Sequence, residues 1–175
     1  MLSSVFMTRR LLIGLFPLVT ACSGGTGGGA DMRAGSSSVV INELFPHGTS
    51  STTDPDWAEL KNNGSSAVDL TGYKVRDSSL GTLTRFPDGT KIEAGRYLIV
   101  YCDDAKDGGV MGGIHVHFKL SGGKGDEFHL VNAQGEDADA TLFGADVPMA
   151  KSWGRLPDGT GAFIITSPTK DAPNI

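Results

Sequence analysis

The sequence lacks three features: a sustained helical periodicity, an apolar run long enough to cross a membrane, and a cluster of basic residues. The apolar run Leu11–Val19 has nine residues, whereas a transmembrane helix needs about 20. With 15 Lys and Arg against 20 Asp and Glu, the chain is acidic. Because nucleic-acid binding requires basic side chains to neutralise phosphates, this balance argues against a nucleic-acid partner.

Cysteine is also scarce, since the chain has only two, Cys22 and Cys102. The residues that follow position 38 are numerous enough to form a hydrophobic core without metal or disulfide support. Cys102 ends the apolar run YLIVYC. We therefore predict that Cys102 is a small, buried core side chain rather than a reactive thiol.

The N-terminus has the three-part pattern of a secretory signal peptide. Arg9 and Arg10 form a short basic region, Leu11–Val19 is the apolar region, and small residues follow it. The residues ahead of the basic pair add nothing to this signal, so translation starts at either Met1 or Met7.

The end of this signal, Val19-Thr20-Ala21-Cys22, resembles the lipobox of bacterial lipoproteins, in which the cysteine is acylated and becomes the new N-terminus. We therefore predict a signal peptide over residues 1–21, lipidation of Cys22, and a lipidated linker over residues 22–38. The alternative is an ordinary signal peptide that contains a cysteine, in which case Cys22 is free to pair with Cys102.

The linker is rich in Gly and Ser, a composition typical of a flexible tether. Two or more acyl chains hold a protein stably on a membrane, whereas one does so only marginally. Ser23 follows the lipid cysteine, and a residue other than Asp there is typical of export to the outer membrane. We expect a membrane-anchored lipoprotein of the bacterial cell envelope, at the outer membrane or cell surface.

Residues 39–175 are predicted to form one all-β domain, because short alternating apolar and polar runs are broken by Gly, Pro, Asn and Asp. The predicted strands are Val39–Phe45, Trp57–Lys61, Ala67–Asp69, Lys74–Asp77, Thr82–Phe86, Thr90–Ile92, Tyr97–Tyr101, His115–Leu120, Glu127–Val131, Ala138–Phe143, Lys151–Arg155 and Ala162–Ile165.

The acidic stretch DPDWAELKNNGSSAVDLTGYKV raises the question of a catalytic or metal site. Side chains alternate between the two faces of a strand. If Ala58 and Leu60 face the core, then Glu59 lies on the solvated face. Trp57 shares that polar face, so we expect a loop to cover it. The stretch is interpreted as sheet face and loop rather than as a site.

Five segments, in this order, resemble the lamin-tail domain: VVINELFPHG, DPDWAELKNNGSSAVDLTGYKVRDSS, FPDGTKIEAGRYLIVYCDD, FKLSGGKGDEFHLVNAQGEDADA and SWGRLPDGTGAFIITSPTKDAPN. The resemblance covers Val39 to Asn174. It implies an immunoglobulin-like β-sandwich of about nine strands and a role without established catalysis. In animal lamins the domain is a docking surface, and in bacteria it resembles an accessory module that tethers secreted or membrane-bound hydrolases.

Three histidines form the most testable candidate metal site. The segment HVHFKLSGGKGDEFHLV is interpreted as a hairpin centred on Gly123, which places His117 opposite His129 and His115 two residues along. Directly opposed residues have Cβ atoms about 4.5–5.5 Å apart, and three histidines with a water are a known catalytic zinc arrangement. The alternative is an exposed polar face that uses histidine.

Two further candidates are weaker. Asp103, Asp104 and Asp107 could supply calcium ligands, although their spacing does not match an EF-hand loop, and solvated turns are the alternative. Trp153 and Arg155 share a strand face and could form an aromatic–cationic patch for a sugar or a protein. The alternative for this pair is core packing.

The sequence contains no Gly-x-Ser-x-Gly motif for nucleophilic catalysis. We predict a non-enzymatic protein without a cofactor, which holds or recognises an envelope protein or polysaccharide and contacts the membrane through its acyl anchor. The alternatives are a surface carbohydrate- or calcium-binding module and, third, a metal-dependent hydrolase.

Overall fold

The computed structural model describes residues 38–105 and 112–175. Within these ranges the secondary structure is a single 3₁₀ turn, Leu80–Thr82, and twelve strands. The strands are β1 (Val39–Phe45), β2 (Asp56–Asn62), β3 (Val68–Asp69), β4 (Lys74–Arg76), β5 (Thr84–Arg85), β6 (Lys91–Ile92), β7 (Tyr97–Cys102), β8 (Ile114–His115), β9 (Asp126–Val131), β10 (Asp137–Phe143), β11 (Ser152–Leu156) and β12 (Ala162–Thr166). The predicted all-β architecture is confirmed. In the described part of the chain, no helix has the length and apolar character needed to cross a membrane.

The strands form an immunoglobulin-like sandwich of two main sheets. The six-stranded sheet has the order β12-β11-β1-β2-β7-β8, and the four-stranded sheet has the order β10-β9-β4-β5. A small third sheet pairs β3 with β6. The core receives Ile41, Leu60 and Val100 from the larger sheet and Phe128 and Leu130 from the smaller one.

A β-bulge in β1 sets the geometry of the outer face of the larger sheet. Ile41 pairs with Leu60 and Glu43 pairs with Glu59, so that Asn42 has no direct partner on β2. Ile41 belongs to the core, whereas the side chains of Asn42 and Glu43 bond to groups outside it. The extra residue therefore places two consecutive polar side chains on the same outer face.

The predicted hairpin between His115–Leu120 and Glu127–Val131 is wrong. β8 contains only Ile114 and His115, and it pairs in parallel with β7. β9 pairs instead with β10 and β4. Alternation places Phe118 and Phe128 on the apolar faces of their segments, and both are core residues whose rings lie 6.0 Å apart. It did not determine which strands are hydrogen-bonded.

Cys102 is buried at the end of β7 and makes no disulfide among the described residues. Burial raises the pKa of its thiol well above the ordinary value, so the reactive thiolate is disfavoured. The prediction of a core cysteine is confirmed.

Candidate functional site

The outer face of the six-stranded sheet carries a cluster of polar side chains that are almost fully buried. We call it the buried polar cluster, and its members are Asn42, Glu43, Glu59, Ser152, Thr166 and Asn174. They come from β1, β2, β11 and β12 and from the last residues of the chain. Two carboxyl groups lie at its centre, since Glu43 and Glu59 are direct partners across β1 and β2.

Both carboxyl groups accept hydrogen bonds from residues 167–175, which we call the C-terminal segment. Glu43 Oε2 accepts from the backbone N–H of Thr169 at 3.2 Å and from its hydroxyl at 3.1 Å. Glu59 Oε2 accepts from the backbone N–H of Asp171 at 2.7 Å. The carboxyl groups therefore fasten the end of the chain onto the sheet.

The other oxygen of each carboxyl group is bound by a side chain of the sandwich. Glu43 Oε1 accepts from the Ser152 hydroxyl at 2.5 Å, and Glu59 Oε1 accepts from Asn42 Nδ2 at 2.8 Å. Ser152 also contacts the hydroxyl of Thr166 at 2.8 Å. All four carboxyl oxygens thus have partners within the chain.

Burial shifts the ionisation of this pair. It raises the pKa of Glu43 and raises the pKa of Glu59 to about 7. The neighbouring charges of Glu43 and Asp158 contribute to this rise in the Glu59 pKa, while the hydrogen bonds from Asn42 and Asp171 oppose it. Glu59 therefore keeps its proton at a higher pH than an exposed glutamate does.

Asp158 links the cluster to the edge of the sheet. Its Oδ2 pairs with the Lys61 ammonium and accepts from the Tyr97 hydroxyl at 2.8 Å, and its Oδ1 accepts from the backbone N–H of Asn174 at 3.1 Å. Burial alone would raise the pKa of Asp158, but the hydrogen bonds from Lys61 and Asn174 outweigh burial and lower it. Asp158 therefore provides a charged anchor beside two carboxyl groups that tend towards the neutral form.

The C-terminal segment also covers the aromatic residues of this face. The ammonium of Lys170 lies 4.4 Å from the ring centroid of Tyr101 and 5.7 Å from that of Trp57. Trp57 is 3% exposed and stacks on Phe45. The expectation that Trp57 lies under a covering segment is confirmed. The expectation that Glu59 is solvated is wrong, because Glu59 is 0% exposed beneath the same segment.

The three histidines do not share a face. His115 Nδ1 lies 2.6 Å from Asp103 Oδ2 in a buried pair, and its ring stacks on Tyr101. His129 lies in the other main sheet and contacts Glu127. His117 is exposed. Across residues 38–105 and 112–175, no three His, Cys, Asp or Glu side chains are grouped so that they could hold a metal ion.

The candidate calcium ligands Asp103 and Asp104 lie in different environments. Asp103 is buried, and its two oxygens lie within hydrogen-bond distance of His115 Nδ1 and of the Ala105 backbone N–H. Asp104 is exposed and has a left-handed backbone with φ of 57°. Asp107 lies outside the described residues. The Asp103 carboxyl group therefore holds the His115 ring in place.

Trp153 and Arg155 do share a face, as predicted, but that face points towards β10 rather than to open solvent. Trp153 Nε1 donates to the Thr141 hydroxyl at 3.2 Å, and Arg155 pairs with Asp139 at 3.0 Å. The ring of Phe163 stacks on Trp153 and lies 4.4 Å from the Arg155 guanidinium carbon. The polar groups of both candidates are thus engaged within the sandwich.

Cys22, the predicted lipidation site, lies outside the described residues, as do the predicted signal peptide and most of the linker.

The sequence model of the family described as Lamin Tail Domain matches residues 33–144. The chain belongs to the lamin-tail domain family. This membership confirms the resemblance noted in the sequence and identifies an immunoglobulin-like, non-catalytic type of module that is suited to protein interaction. A comparison with curated proteins found no match.

Sequence reasoning missed the residues from the last part of the chain that complete the buried polar cluster. Ser152, Thr169 and Asn174 supply donors to groups that lie more than a hundred positions earlier in the chain. One local signal was available, because Asn42 and Glu43 are adjacent polar residues within the otherwise alternating strand VVINELF. Such a break in alternation is typical of a β-bulge.

Proposed function

We propose that the protein is an envelope-anchored lipoprotein whose lamin-tail domain recognises or tethers another component of the cell envelope without catalysis. The acyl chains on Cys22 provide the anchor. The observation that carries the non-catalytic part is the covered state of the Glu43–Glu59 pair.

A catalytic carboxyl pair must reach its substrate. Glycoside hydrolases, for example, use two carboxyl groups about 5–9.5 Å apart on either side of the bond that is cleaved. Glu43 and Glu59 are each 0% exposed, and their oxygens accept hydrogen bonds from the chain's own donors. These carboxyl groups are built to retain the C-terminal segment, and this supports a binding role for the domain.

The histidine–aspartate pair supports the same proposal. The side chains of His115 and Asp103 are 1% and 2% exposed, and Tyr101 stacks on the imidazole. A histidine that acts as a general base must lie within hydrogen-bond reach of the proton it removes. A buried imidazole that is bonded to Asp103 is better suited to fixing β8 beside β7 than to removing a proton from a substrate.

The anchor is tested by expressing the full-length chain and Cys22→Ala in a bacterial host. Membrane fractionation and intact-mass measurement should find a diacylglycerol-modified chain beginning at Cys22, and Cys22→Ala should lose the modification and the membrane association. Thr26→Ala, which changes the linker but keeps the cysteine, should behave like the parent chain. An unmodified, soluble parent chain would contradict the anchor.

The recognition role is tested separately with an anchored chain that carries a photo-crosslinking residue at exposed positions of the domain. We expect specific adducts with envelope proteins and, in parallel, we would measure co-sedimentation with purified envelope polysaccharide. Turnover of envelope substrates by the purified chain, abolished by Glu59→Gln, would overturn the non-catalytic proposal.

A further inference from the structure

Strand β12 is an open edge of the six-stranded sheet. Within the described residues it pairs only with β11, and its sequence is AFIIT. No charged side chain occurs from Gly159 to Thr169. Ile164 is 43% exposed and Ile165 is 41% exposed. An exposed, apolar edge strand is a template for pairing with another strand.

The other sheet edges in the described ranges are protected. β10 carries Asp137 and Asp139, and its pairing with β9 is irregular between these residues. β5 and β8, which end the two main sheets on the opposite side, each contain only two residues. Charges, bulges and short length are the usual protections of edge strands. β12 has none of them.

We propose that β12 pairs antiparallel with β12 of a second copy of this chain, across a two-fold axis that passes through Ile164. Because Ile164 is the central residue of the five-residue strand, this register places it opposite Ile164 of the second copy. Phe163 then lies opposite Ile165 of the second copy, and Ala162 lies opposite its Thr166. The two six-stranded sheets become one continuous sheet.

The second copy is favoured over an unrelated strand because β12 is complementary to itself. An aromatic residue opposite a β-branched residue is a stabilising cross-strand pair, and the proposed register forms this pair twice. Pairing one edge with itself also closes the assembly, since each copy then has no further β12 edge to offer. The result is a dimer and not a fibre.

Charge favours the same position. The chain has a formal net charge of −5, so two copies repel each other over most of their surfaces. β12 itself has no charged side chain, and Arg155, which lies opposite Phe163 in β11, already pairs with Asp139. The seam therefore brings together two acidic molecules at a place where neither carries an unpaired charge on the strand.

Pairing would cover apolar side chains on both faces of the edge. Ile164 pairs with Gly154 in β11 and shares its outer face, whereas Phe163 and Ile165 lie beside Arg155 and Trp153 on the inner face. The dimer would thus reduce the exposure of both isoleucines together. This proposal does not depend on the acylation of Cys22.

Cysteine crosslinking in the full chain tests the register. Directly opposed residues have Cβ atoms about 4.5–5.5 Å apart, close to disulfide geometry. Under mild oxidation, Ile164→Cys should give a covalent dimer. Ile165→Cys alone should give far less, because Ile165 does not lie opposite itself, but a mixture of Phe163→Cys and Ile165→Cys chains should crosslink. The parent chain, treated identically, measures the background from Cys22 and Cys102.

Analytical ultracentrifugation over a concentration series tests the association itself. The parent chain should show a monomer–dimer equilibrium. Ile164→Lys places two ammonium groups directly opposite each other, so its dimer should dissociate at a concentration at least about tenfold higher. Ala140→Lys, on the exposed part of β10, is the matched control and should dimerise like the parent chain. A circular dichroism spectrum establishes that each variant is folded.

Two results would overturn the proposal. One is a parent chain that is monomeric throughout the concentration series and gives no crosslink with Ile164→Cys. The other is a dimer that survives Ile164→Lys or crosslinks equally well through Ile165→Cys, since either outcome would place the contact elsewhere.

Discussion

The outer faces of the two main sheets both carry acidic side chains, yet these side chains have different environments. On the six-stranded sheet, Glu43 and Glu59 are fully buried beneath the C-terminal segment. On the four-stranded sheet, the side chains of Glu127 and Asp137 remain 43% and 44% exposed, and both contact His129. The covering segment, and not the strand pattern, makes the difference.

This contrast shows how one alternating pattern can produce two kinds of surface. On the covered face the carboxyl groups accept bonds from backbone N–H groups of Thr169 and Asp171, and burial raises the carboxyl pKa values. On the open face the acidic groups neighbour basic ones, with Arg76 also near Asp137. Buried polar groups need defined partners, whereas exposed ion pairs contribute little to stability.

Removing a carboxyl group from the covered face should have the largest effect. Glu43→Ala removes the acceptor of the half-buried Thr169 backbone N–H and of the buried Ser152 hydroxyl, which keeps only the Thr166 hydroxyl as a partner. An unsatisfied buried group costs about 1–3 kcal/mol, so we expect a loss of about 3 kcal/mol in the free energy of unfolding. Urea denaturation would measure it, and a loss below about 1 kcal/mol would argue that the segment is not held by Glu43.

The second effect is a dependence of stability on pH. Because the folded-state pKa of Glu59 is raised to about 7 from its ordinary value of 4.5, the unfolded chain loses its proton first as the pH rises. The contribution of Glu59 is fully present below about pH 4.5 and falls as the pH approaches 7. Between pH 5 and pH 7 the loss is about 2 kcal/mol.

The contribution is isolated by subtracting the pH–stability profile of Glu59→Gln from that of the parent chain. This substitution keeps the size of the side chain but does not titrate. The difference in the free energy of unfolding between the two chains should fall between about pH 4.5 and about pH 7. Parallel profiles for the two chains would show that Glu59 has an ordinary pKa in the folded state.

A smaller effect is expected from the ammonium group above the aromatic rings. Lys170→Ala removes the contact with Tyr101 and Trp57, and exposed cation–π contacts contribute about 0.5–1 kcal/mol. We expect a loss of stability in this range, together with a change in tryptophan fluorescence. Lys170→Arg should retain most of the stability. Equal losses in both variants would point away from the cation–π contact.

The smallest effect belongs to the open face. Glu127→Ala is the counterpart of Glu43→Ala, because it also removes a strand glutamate that faces away from the core. The Glu127 side chain is 43% exposed, and within the part of the chain that the structure describes it forms an ion pair only with His129. We therefore expect a change within about 0.5 kcal/mol in urea denaturation. A cost as large as that of Glu43→Ala would remove the distinction between the two faces.

The positions of the strands were largely predictable from the sequence. Each predicted segment overlaps an observed strand, because alternation and turn residues are local signals. Strand partners were less predictable. The segment after His115 follows the end of β7, where Val116 N–H donates to the Tyr101 carbonyl, although its alternation equally suits a hairpin with β9. Alternation determines which face a side chain occupies but not which strand lies alongside.

The candidate site could not be predicted because its decisive contacts join distant parts of the chain. Glu59 has the sequence position of a solvated sheet residue, but it is buried where Asp171 returns across the sheet and donates its backbone N–H to the carboxyl group. For the same reason alternation correctly placed Trp153 and Arg155 on one face but left open whether they form a binding patch or pack within the sandwich, since the position of β10 was unknown.

The most direct test of the account is native-state hydrogen exchange at the backbone amides of Thr169 and Asp171. These two amides donate to Glu43 and Glu59 at 3.2 Å and 2.7 Å, respectively. If the carboxyl groups hold the C-terminal segment on the sheet, both amides will exchange slowly in the parent chain, and Glu43→Ala will accelerate the exchange at Thr169. Exchange of both amides at the rate of an unprotected chain would contradict the account.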